Sequence, residues 1–219
     1  METKGKNVVK ITITYVYTLL ALLFVSWVNN ISQNFTPALR SILIIIAWWP
    51  MLVPVIVFMR LDKETLKNIG FTKEKIVQQI LIGILVAIGS LSIFIILPAI
   101  FGFNMSYVTN RGILAILYQF IYMLFAVALV EEIIFRGYLL KKLLDINKSK
   151  WSAIIISSTL FGFFHILNWN LLQIIVTATI GFYWCLCKER LKYCTLLSLV
   201  IAHALHNTIH PIISTIFFG

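Results

Sequence analysis

Two adjacent glutamates stand inside an otherwise apolar stretch of the chain. Glu131 and Glu132 lie within the sequence ALVEEIIFR, and a charge at membrane depth costs several kcal/mol. Glu132 and Arg136 are four residues apart, so they share one face of a helix and can pair. Glu131 is turned about 100° away from Glu132 and faces a different neighbour. The spacing therefore predicts one glutamate with a local partner and one that remains for chemistry.

Two histidines and an asparagine in later apolar segments are the other candidates for chemistry. His165 ends the sequence FGFFH, while His203 and Asn207 are four residues apart in HALHN, so their side chains face the same way. A single membrane histidine often serves as an interhelical hydrogen-bond donor, and a Glu–Arg pair is often architectural. Together with Glu131, however, these residues occupy three separate apolar segments, and each has its own desolvation cost. The combination predicts one shared site.

Activation of water is the chemistry that this set of residues best supports. A carboxylate beside imidazoles can act as a general base, and His203 and Asn207 could donate to the oxyanion formed when water attacks an amide carbonyl. Alternatively, Glu131, His165 and His203 suit a zinc ion with water in the fourth position. The sequence has no His-Glu-x-x-His motif and no serine placed as a nucleophile. Both hydrolytic routes remain open at this point.

The elements that must position these residues are transmembrane helices. Of the 219 residues, 60% are hydrophobic and 12% are charged, which predicts a single membrane domain over residues 1–219. Apolar runs of about 20 residues predict an all-α polytopic bundle. Its seven expected spans are Val8–Val28, Pro37–Met59, Ile76–Phe101, Gly112–Leu140, Trp151–Asn168, Leu171–Cys187 and Thr195–Phe218. Pro211 could split the last run into a span and a short eighth helix.

The candidate residues all fall in the C-terminal spans, so residues 112–218 are the expected catalytic core. At about 1.5 Å per residue, these span bounds predict that Glu131 and His165 differ in depth by roughly 10 Å. Helix tilt is expected to close that gap.

Basic residues mark alternate connections between the spans. The positive-inside rule therefore predicts a cytoplasmic N-terminus and an external C-terminus, with Arg40 and Arg111 the basic residues near the other connections. The charged stretch Asp62–Lys75 also contains apolar residues and is expected to lie along the membrane interface. The net charge of +10 reflects these clusters, so no nucleic-acid partner is expected.

Signals for export and for disulfides are weak. The first apolar run is longer than the h-region of a signal peptide, so it is expected to remain as an uncleaved span. Cys185, Cys187 and Cys194 fall where a helix meets a predicted cytoplasmic loop, which disfavours a disulfide framework. They also lack a nearby fourth soft ligand for a metal.

The candidate residues resemble the motifs of a known family. The segment from Glu131 to Arg136 is similar to the EExxxR motif of the CPBP intramembrane proteases, Phe161 to His165 to their FxxxH motif, and His203 to Asn207 to their HxxxN motif. This family, also called Abi, includes the type II CAAX prenyl endopeptidases and bacterial bacteriocin-processing or self-immunity proteins. The motifs occur in the family's order, and the first three spans match none of them.

The resemblance implies an intramembrane endopeptidase. Glu131 would activate water with the help of His165, and His203 and Asn207 would stabilise the oxyanion. The supporting residues would be Glu132, Arg136 and Phe161. The family resemblance leaves the metal open, with zinc held by Glu131, His165 and His203 as the candidate cofactor. His206 and His210 match no family position and are expected to be structural.

The expected setting is the plasma membrane of a bacterium, because the loop charges and the lack of a signal peptide are typical of bacterial proteins. Bacteria generally lack prenylated CAAX proteins. A small membrane-associated peptide or protein, such as a bacteriocin or signalling precursor, is therefore the expected substrate, and membrane lipid is the other expected partner. No residue pattern indicates an oligomeric state.

Two other functions remain open from the sequence. The same residues could serve a non-proteolytic bacteriocin-immunity protein that binds and sequesters its target. An ion-coupled carrier with Glu131 and His165 as a proton relay is a further alternative, although no paired repeat with interrupted helices is evident.

Overall fold

Helices account for all the regular secondary structure of the residues that the structure describes. A computed structural model describes residues 2–102, 112–147 and 149–218, and no strand occurs within these ranges. Seven of the helical runs are long and apolar enough to cross a membrane. The all-α polytopic bundle predicted from the sequence is therefore confirmed.

The seven spans start and end close to the predicted bounds. From first to seventh, they are Lys4–Asn34, Pro37–Leu61, Ile76–Ile100, Ile113–Ile146, Lys150–Asn168, Leu171–Arg190 and Leu196–Ile216. The last helix, Leu196–Phe218, continues through Pro211, so the alternative of a short eighth helix is wrong. Arg111, Lys148 and Gly219 lie outside the described residues.

Several spans change helix type along their length. The α-helical segments of the first three spans are Glu2–Ile31, Pro37–Trp48, Val53–Leu61, Ile76–Leu91 and Leu97–Ile100. Between them lie 3₁₀ turns at Ser32–Asn34 and Trp49–Leu52 and a π-helical segment at Ser92–Ile96. Pro50 lies in the second of these turns, where its missing N–H removes a bond of the α-helical ladder.

The fourth span places the two glutamates between two π-helical segments. It runs through Ile113–Tyr122, the π segment Met123–Ala128, the short α-helix Leu129–Glu132, the π segment Ile133–Leu139 and the α-helix Leu140–Ile146. A π segment shifts the hydrogen-bonding pattern of the backbone, and side chains from other spans donate hydrogen bonds to its carbonyl groups here. Ser157 Oγ donates to the Phe135 carbonyl at 3.0 Å, and Lys188 Nζ donates to the Arg136 carbonyl. Such segments are frequent at functional sites.

The fifth and sixth spans pack backbone against backbone beside this region. Their α-helices are Lys150–Phe164 and Leu171–Arg190, and the fifth span ends in the 3₁₀ turn Ile166–Asn168. A Cβ atom on Gly162 would lie 2.7 Å from the Ala178 Cβ and 2.7 Å from the Ile174 carbonyl. Only glycine allows this approach, which is typical of helix pairs in membranes.

One end of the bundle is rich in lysine, and we call it the lysine-rich end. It contains the connection Asp62–Lys75, which was expected to lie along the membrane interface. This connection folds onto the bundle, because Ile69 is buried in the core and the Gly70 carbonyl accepts a bond of 3.1 Å from Leu196 N. Its position at the interface stays a prediction. The opposite end contains Asn29 and Asn168 and is called the lysine-poor end.

Candidate active site

The carboxylate of Glu132 joins the fourth and seventh spans. Its Oε1 accepts from Arg136 Nη1 at 3.0 Å and lies 2.8 Å from His203 Nδ1. Glu132 and Arg136 are fully buried, and His203 is nearly so. The pair expected from the four-residue spacing is present, and the structure extends it to a histidine 71 residues further along the chain.

Glu131 faces the other nitrogen of the same imidazole ring. Its Oε2 lies 3.8 Å from His203 Nε2, beyond hydrogen-bond length, and this buried oxygen has no hydrogen-bond partner among the described residues. A buried oxygen in that state is costly, because it has lost its hydration without replacement. A water molecule can span such a gap with normal hydrogen bonds to both atoms. The pair is therefore arranged to hold a small polar group.

Both candidate histidines are oriented through Nδ1. His165 Nδ1 lies 3.0 Å from the Phe161 carbonyl, which can only accept, so Nδ1 donates and Nε2 is left for another partner. His203 Nδ1 likewise donates to the Glu132 carboxylate, and its Nε2 faces Glu131. A bond at one ring nitrogen that fixes the role of the other is usual for functional histidines.

His165 lies next to this cluster but is not bonded to it. It is the first residue after the helix Lys150–Phe164, it is partly exposed, and no hydrogen bond joins it to Glu131 in the described part of the chain. Phe161 lies level with Arg136, with the guanidinium 3.8 Å from its ring centroid. The fourth and fifth spans are antiparallel, so the turn from Arg136 back to Glu132 runs in the same direction as the turn from Phe161 on to His165. His165 therefore lies near the level of Glu132. The depth gap inferred from the span bounds was therefore too large.

Aromatic rings enclose the ion pair. The Phe161 ring packs against both histidines, with centroid distances of 5.1 Å to His165 and 6.2 Å to His203. The Arg136 guanidinium is 3.8 Å from the Phe161 centroid and 5.2 Å from that of Trp184. Cation–π contacts of this kind stabilise a desolvated guanidinium. Phe161 thus contacts Arg136 and both imidazoles.

Asn207 lies one turn beyond His203 and is half-buried. Its Nδ2 is 3.9 Å from the sulfur of Met123, in the first π segment of the fourth span. A thioether is a weak acceptor, so a stronger acceptor can compete for the amide. The structure brings Asn207 to the side of the fourth span without a bond to either glutamate.

The three residues considered as zinc ligands do not form a ligand set as they are placed. Glu131 and His203 approach each other, whereas no hydrogen bond or ion pair among the described residues joins His165 to either of them. No group of three His, Cys, Asp or Glu side chains in the described ranges is arranged to hold a metal ion.

Comparison with known proteins finds a family similarity in the C-terminal half. Residues 112–209 match the family model of type II CAAX prenyl endopeptidase Rce1-like proteins. The family relation expected from the three motifs is confirmed by this match. It supports a peptidase, and it includes every candidate catalytic residue. No curated protein and no solved structure matches the chain.

The Rce1-like segment also contains two site residues that the sequence reasoning missed. The buried Trp184 ring packs 4.6 Å from that of His203, and Gly181, three residues earlier, faces the same neighbours. A Cβ on Gly181 would lie 3.0 Å from both Arg136 Nη2 and Phe161 Cδ1. The available signal was a glycine and a tryptophan three residues apart, on one face of the sixth span.

The two other histidines of the last span, His206 and His210, contact other parts of the bundle. His206 Nδ1 lies 2.9 Å from Ser90 Oγ, and that hydroxyl donates to the Ala87 carbonyl, so the imidazole donates to the serine. This bond joins the third and seventh spans, which supports the structural role expected for His206. The His210 ring lies 6.0 Å from that of His206.

Proposed function

We propose that this chain is an intramembrane endopeptidase that hydrolyses a peptide bond in a small membrane-associated peptide or protein, with Glu131 as the general base. One observation carries the proposal. The buried Glu131 Oε2 faces the Nε2 of an imidazole whose Nδ1 is bonded to Glu132. A base and a donor therefore lie across a gap of 3.8 Å, which suits a water molecule or a peptide carbonyl.

The charges of the cluster support separate roles for Glu131 and His203. Two carboxylates and one guanidinium leave one negative charge in excess, so one additional proton neutralises the cluster. When His203 holds that proton, Nδ1 donates to Glu132 and Nε2 becomes a donor toward the reacting group. Glu131 is then the ionised carboxylate that accepts a proton.

The proposed reaction is a general-base hydrolysis. Glu131 removes a proton from water as the water oxygen attacks the carbonyl carbon, and the carbonyl oxygen becomes an oxyanion. His203 Nε2 and Asn207 Nδ2 donate to that oxyanion. Collapse of the intermediate breaks the C–N bond, and the proton held by Glu131 passes to the leaving amine. His165, with its Nε2 available beside the cluster, assists Glu131 in orienting the water.

The membrane, the orientation and the substrate of the protein belong to the same proposal. A bacterial plasma membrane with the N-terminus in the cytoplasm follows from the basic connections, and a bacteriocin or signalling precursor is the proposed substrate. A reporter fused after Gly219 is expected to give an external signal. A cytoplasmic signal would contradict this orientation.

The decisive experiment is cleavage of a membrane-associated peptide by purified protein in detergent micelles. Glu131→Gln is expected to abolish cleavage and leave the folded yield unchanged, because the amide keeps the size of the side chain but cannot take a proton from water. Glu74→Gln, in a connection at the lysine-rich end, is the matched control and should cleave as the wild type does. Protection of cells from a bacteriocin by a protein that cuts no peptide would favour a binding protein instead.

The same cleavage assay with a strong chelator tests whether a metal ion takes part in the reaction. If a strong chelator removes activity and zinc restores it, a bound ion takes part in the reaction. If activity is indifferent to the chelator, the side-chain mechanism stands.

A further inference from the structure

A cavity of about 310 Å³ lies on the lysine-poor side of the candidate active site. Its walls come from the first, second and fourth spans and from the 3₁₀ turn Ile166–Asn168, which directly follows His165. Tyr122 lines it from the fourth span, the same span that contains Glu131. The cavity is therefore bounded by the turn that follows His165 and by the span that contains Glu131.

The chemistry of the lining indicates an uncharged ligand. Leu22, Trp48 and Leu167 supply apolar surface, and the side chains of Asn29 and Asn168 supply amide groups. None of the described residues that line the cavity is charged. Its volume is at the lower end of the range of ligand pockets, about 300–1,000 Å³. These properties suit a short apolar segment of peptide whose backbone amides bond to asparagine side chains.

Arg40 adds a charge at the rim. Its Nη2 donates to Asn29 Oδ1 at 3.0 Å, so the guanidinium lies beside a residue that lines the cavity. None of the ion pairs among the described residues includes Arg40. The connections of the lysine-poor end contain no Asp or Glu in the sequence, so no acidic side chain is supplied there. Such a guanidinium attracts carboxylates and repels lysine.

We propose that this cavity binds an uncharged apolar segment of the peptide substrate from the lysine-poor end, and that Arg40 selects substrates with an anionic group beside that segment. This inference rests on the proposed peptidase function, because it assigns the substrate contacts of the same site. It places the segment against the turn that follows His165 and directs the neighbouring peptide bond toward Glu131.

Binding is measured without turnover in the Glu131→Gln background. The probes are two fluorescent synthetic peptides with the same leucine- and alanine-rich core, one flanked by glutamate and one by lysine. Leu22→Trp fills the cavity and is expected to weaken binding of the glutamate-flanked peptide roughly tenfold. Leu23→Trp is the matched control, because Leu23 is the next residue and is 50% exposed on the outside of the bundle. Equal binding by these two variants would overturn the assignment of the cavity.

Arg40→Glu tests the selection of charge. The protein with Arg40 should prefer the glutamate-flanked peptide by roughly threefold to tenfold, and Arg40→Glu should reverse that preference. An unchanged preference would mean that Arg40 serves another partner, such as a lipid phosphate, and would overturn this part of the proposal. If Leu22→Trp does not accumulate, Ile44→Trp fills the cavity from the second span, with the exposed Ile42→Trp as its control.

The outcomes separate this inference from the proposed function. In one outcome, peptide binding depends on Leu22 and Arg40, but the protein that retains Glu131 cuts neither peptide. That result would support the cavity assignment and contradict the proposed peptidase function. Cleavage that requires Glu131 but is unaffected by Leu22→Trp would keep the peptidase and overturn the cavity assignment.

Discussion

Two groups of ionisable side chains meet on the fourth span within two helical turns of each other, and they differ in how their charges are matched. The site cluster consists of Glu131, Glu132, Arg136 and His203, all buried. The terminal network lies at the lysine-rich end and has three lysines and three carboxylates: Lys10, Asp62, Glu64, Lys141, Lys142 and Asp145. Every member of the terminal network makes an ion pair, and all of its members except the buried Lys142 are partly exposed. Glu64 Oε2 is its one buried oxygen without a hydrogen-bond partner among the described residues.

Several buried polar atoms of the site cluster lack a hydrogen-bond partner in the part of the chain that the structure describes. Glu131 Oε2, Glu132 Oε2, Arg136 Nε and Arg136 Nη2 are buried without hydrogen-bond partners among the described residues. Unmatched buried polar atoms cost stability, so a fold retains them where they serve another purpose. The comparison indicates that the terminal network joins the spans, whereas the site cluster is built to interact with a reacting group.

The largest expected effect on stability comes from breaking the site cluster. Arg136→Ala leaves Glu132 buried without its cation, and this should cost roughly 3–5 kcal/mol of stability. Folded protein in the membrane should fall sharply, as measured by size-exclusion yield and thermal unfolding. Normal accumulation of this variant would contradict the supporting role of the ion pair.

Asn207→Ala should affect the reaction and not the fold. Removal of one oxyanion donor is expected to lower kcat by about 10²–10³. The thermal midpoint should stay close to that of the wild type, because the amide contacts only the weak acceptor of Met123. His206→Ala, one residue earlier on the same helix, is the comparison variant and should retain most of the activity. A large loss in His206→Ala alone would reverse these assignments.

The terminal network should respond to pH through Asp62. Although burial acts to raise it, the pKa of Asp62 lies below its ordinary value, because Lys10 and Lys142 donate hydrogen bonds to its carboxylate. A carboxyl group whose pKa is lower in the folded than in the unfolded protein stabilises the fold at pH values above its unfolded pKa, which is about 3.9. This stabilisation is lost as the pH falls through the folded pKa. Asp62→Asn should therefore lower the thermal midpoint at pH 7 by the equivalent of about 1 kcal/mol or less. The gap from wild type should narrow near pH 3, and a constant gap would contradict this origin.

The smallest effect is expected for an exposed pair outside both groups. Lys150 Nζ lies 3.4 Å from Glu189 Oε2, and the lysine side chain is 75% exposed. Solvent screens such a pair, so Lys150→Ala should leave stability and activity close to those of the wild type. Thermal unfolding beside the Asp62→Asn variant measures the difference, and an equal or larger loss for Lys150→Ala would contradict the ranking.

Much of the fold could be predicted because the relevant signals are local. A membrane fixes the length of a span, so apolar runs identify the seven helices within a few residues at most of their ends. The largest differences are in two spans. The first was expected over Val8–Val28 and covers Lys4–Asn34, and the fourth was expected to end at Leu140 and continues to Ile146. The last turns of the fourth span are stabilised by Lys141 and Lys142, which bond to Asp62 and Glu64 of a different connection. A hydropathy pattern does not contain those partners.

The sequence by itself determined the seven spans and the pairing of Glu132 with Arg136, because both follow from helix geometry and the cost of burying charge. Only the tertiary structure decided that His203 lies between the two glutamates and that Phe161 packs against both His203 and His165. It also brought Trp184 against His203 and opened the cavity beside Tyr122. These features depend on how each helix is rotated and how closely it packs. Contacts between residues far apart in the chain set that rotation, whereas the cost of desolvation only requires that each polar group find some partner.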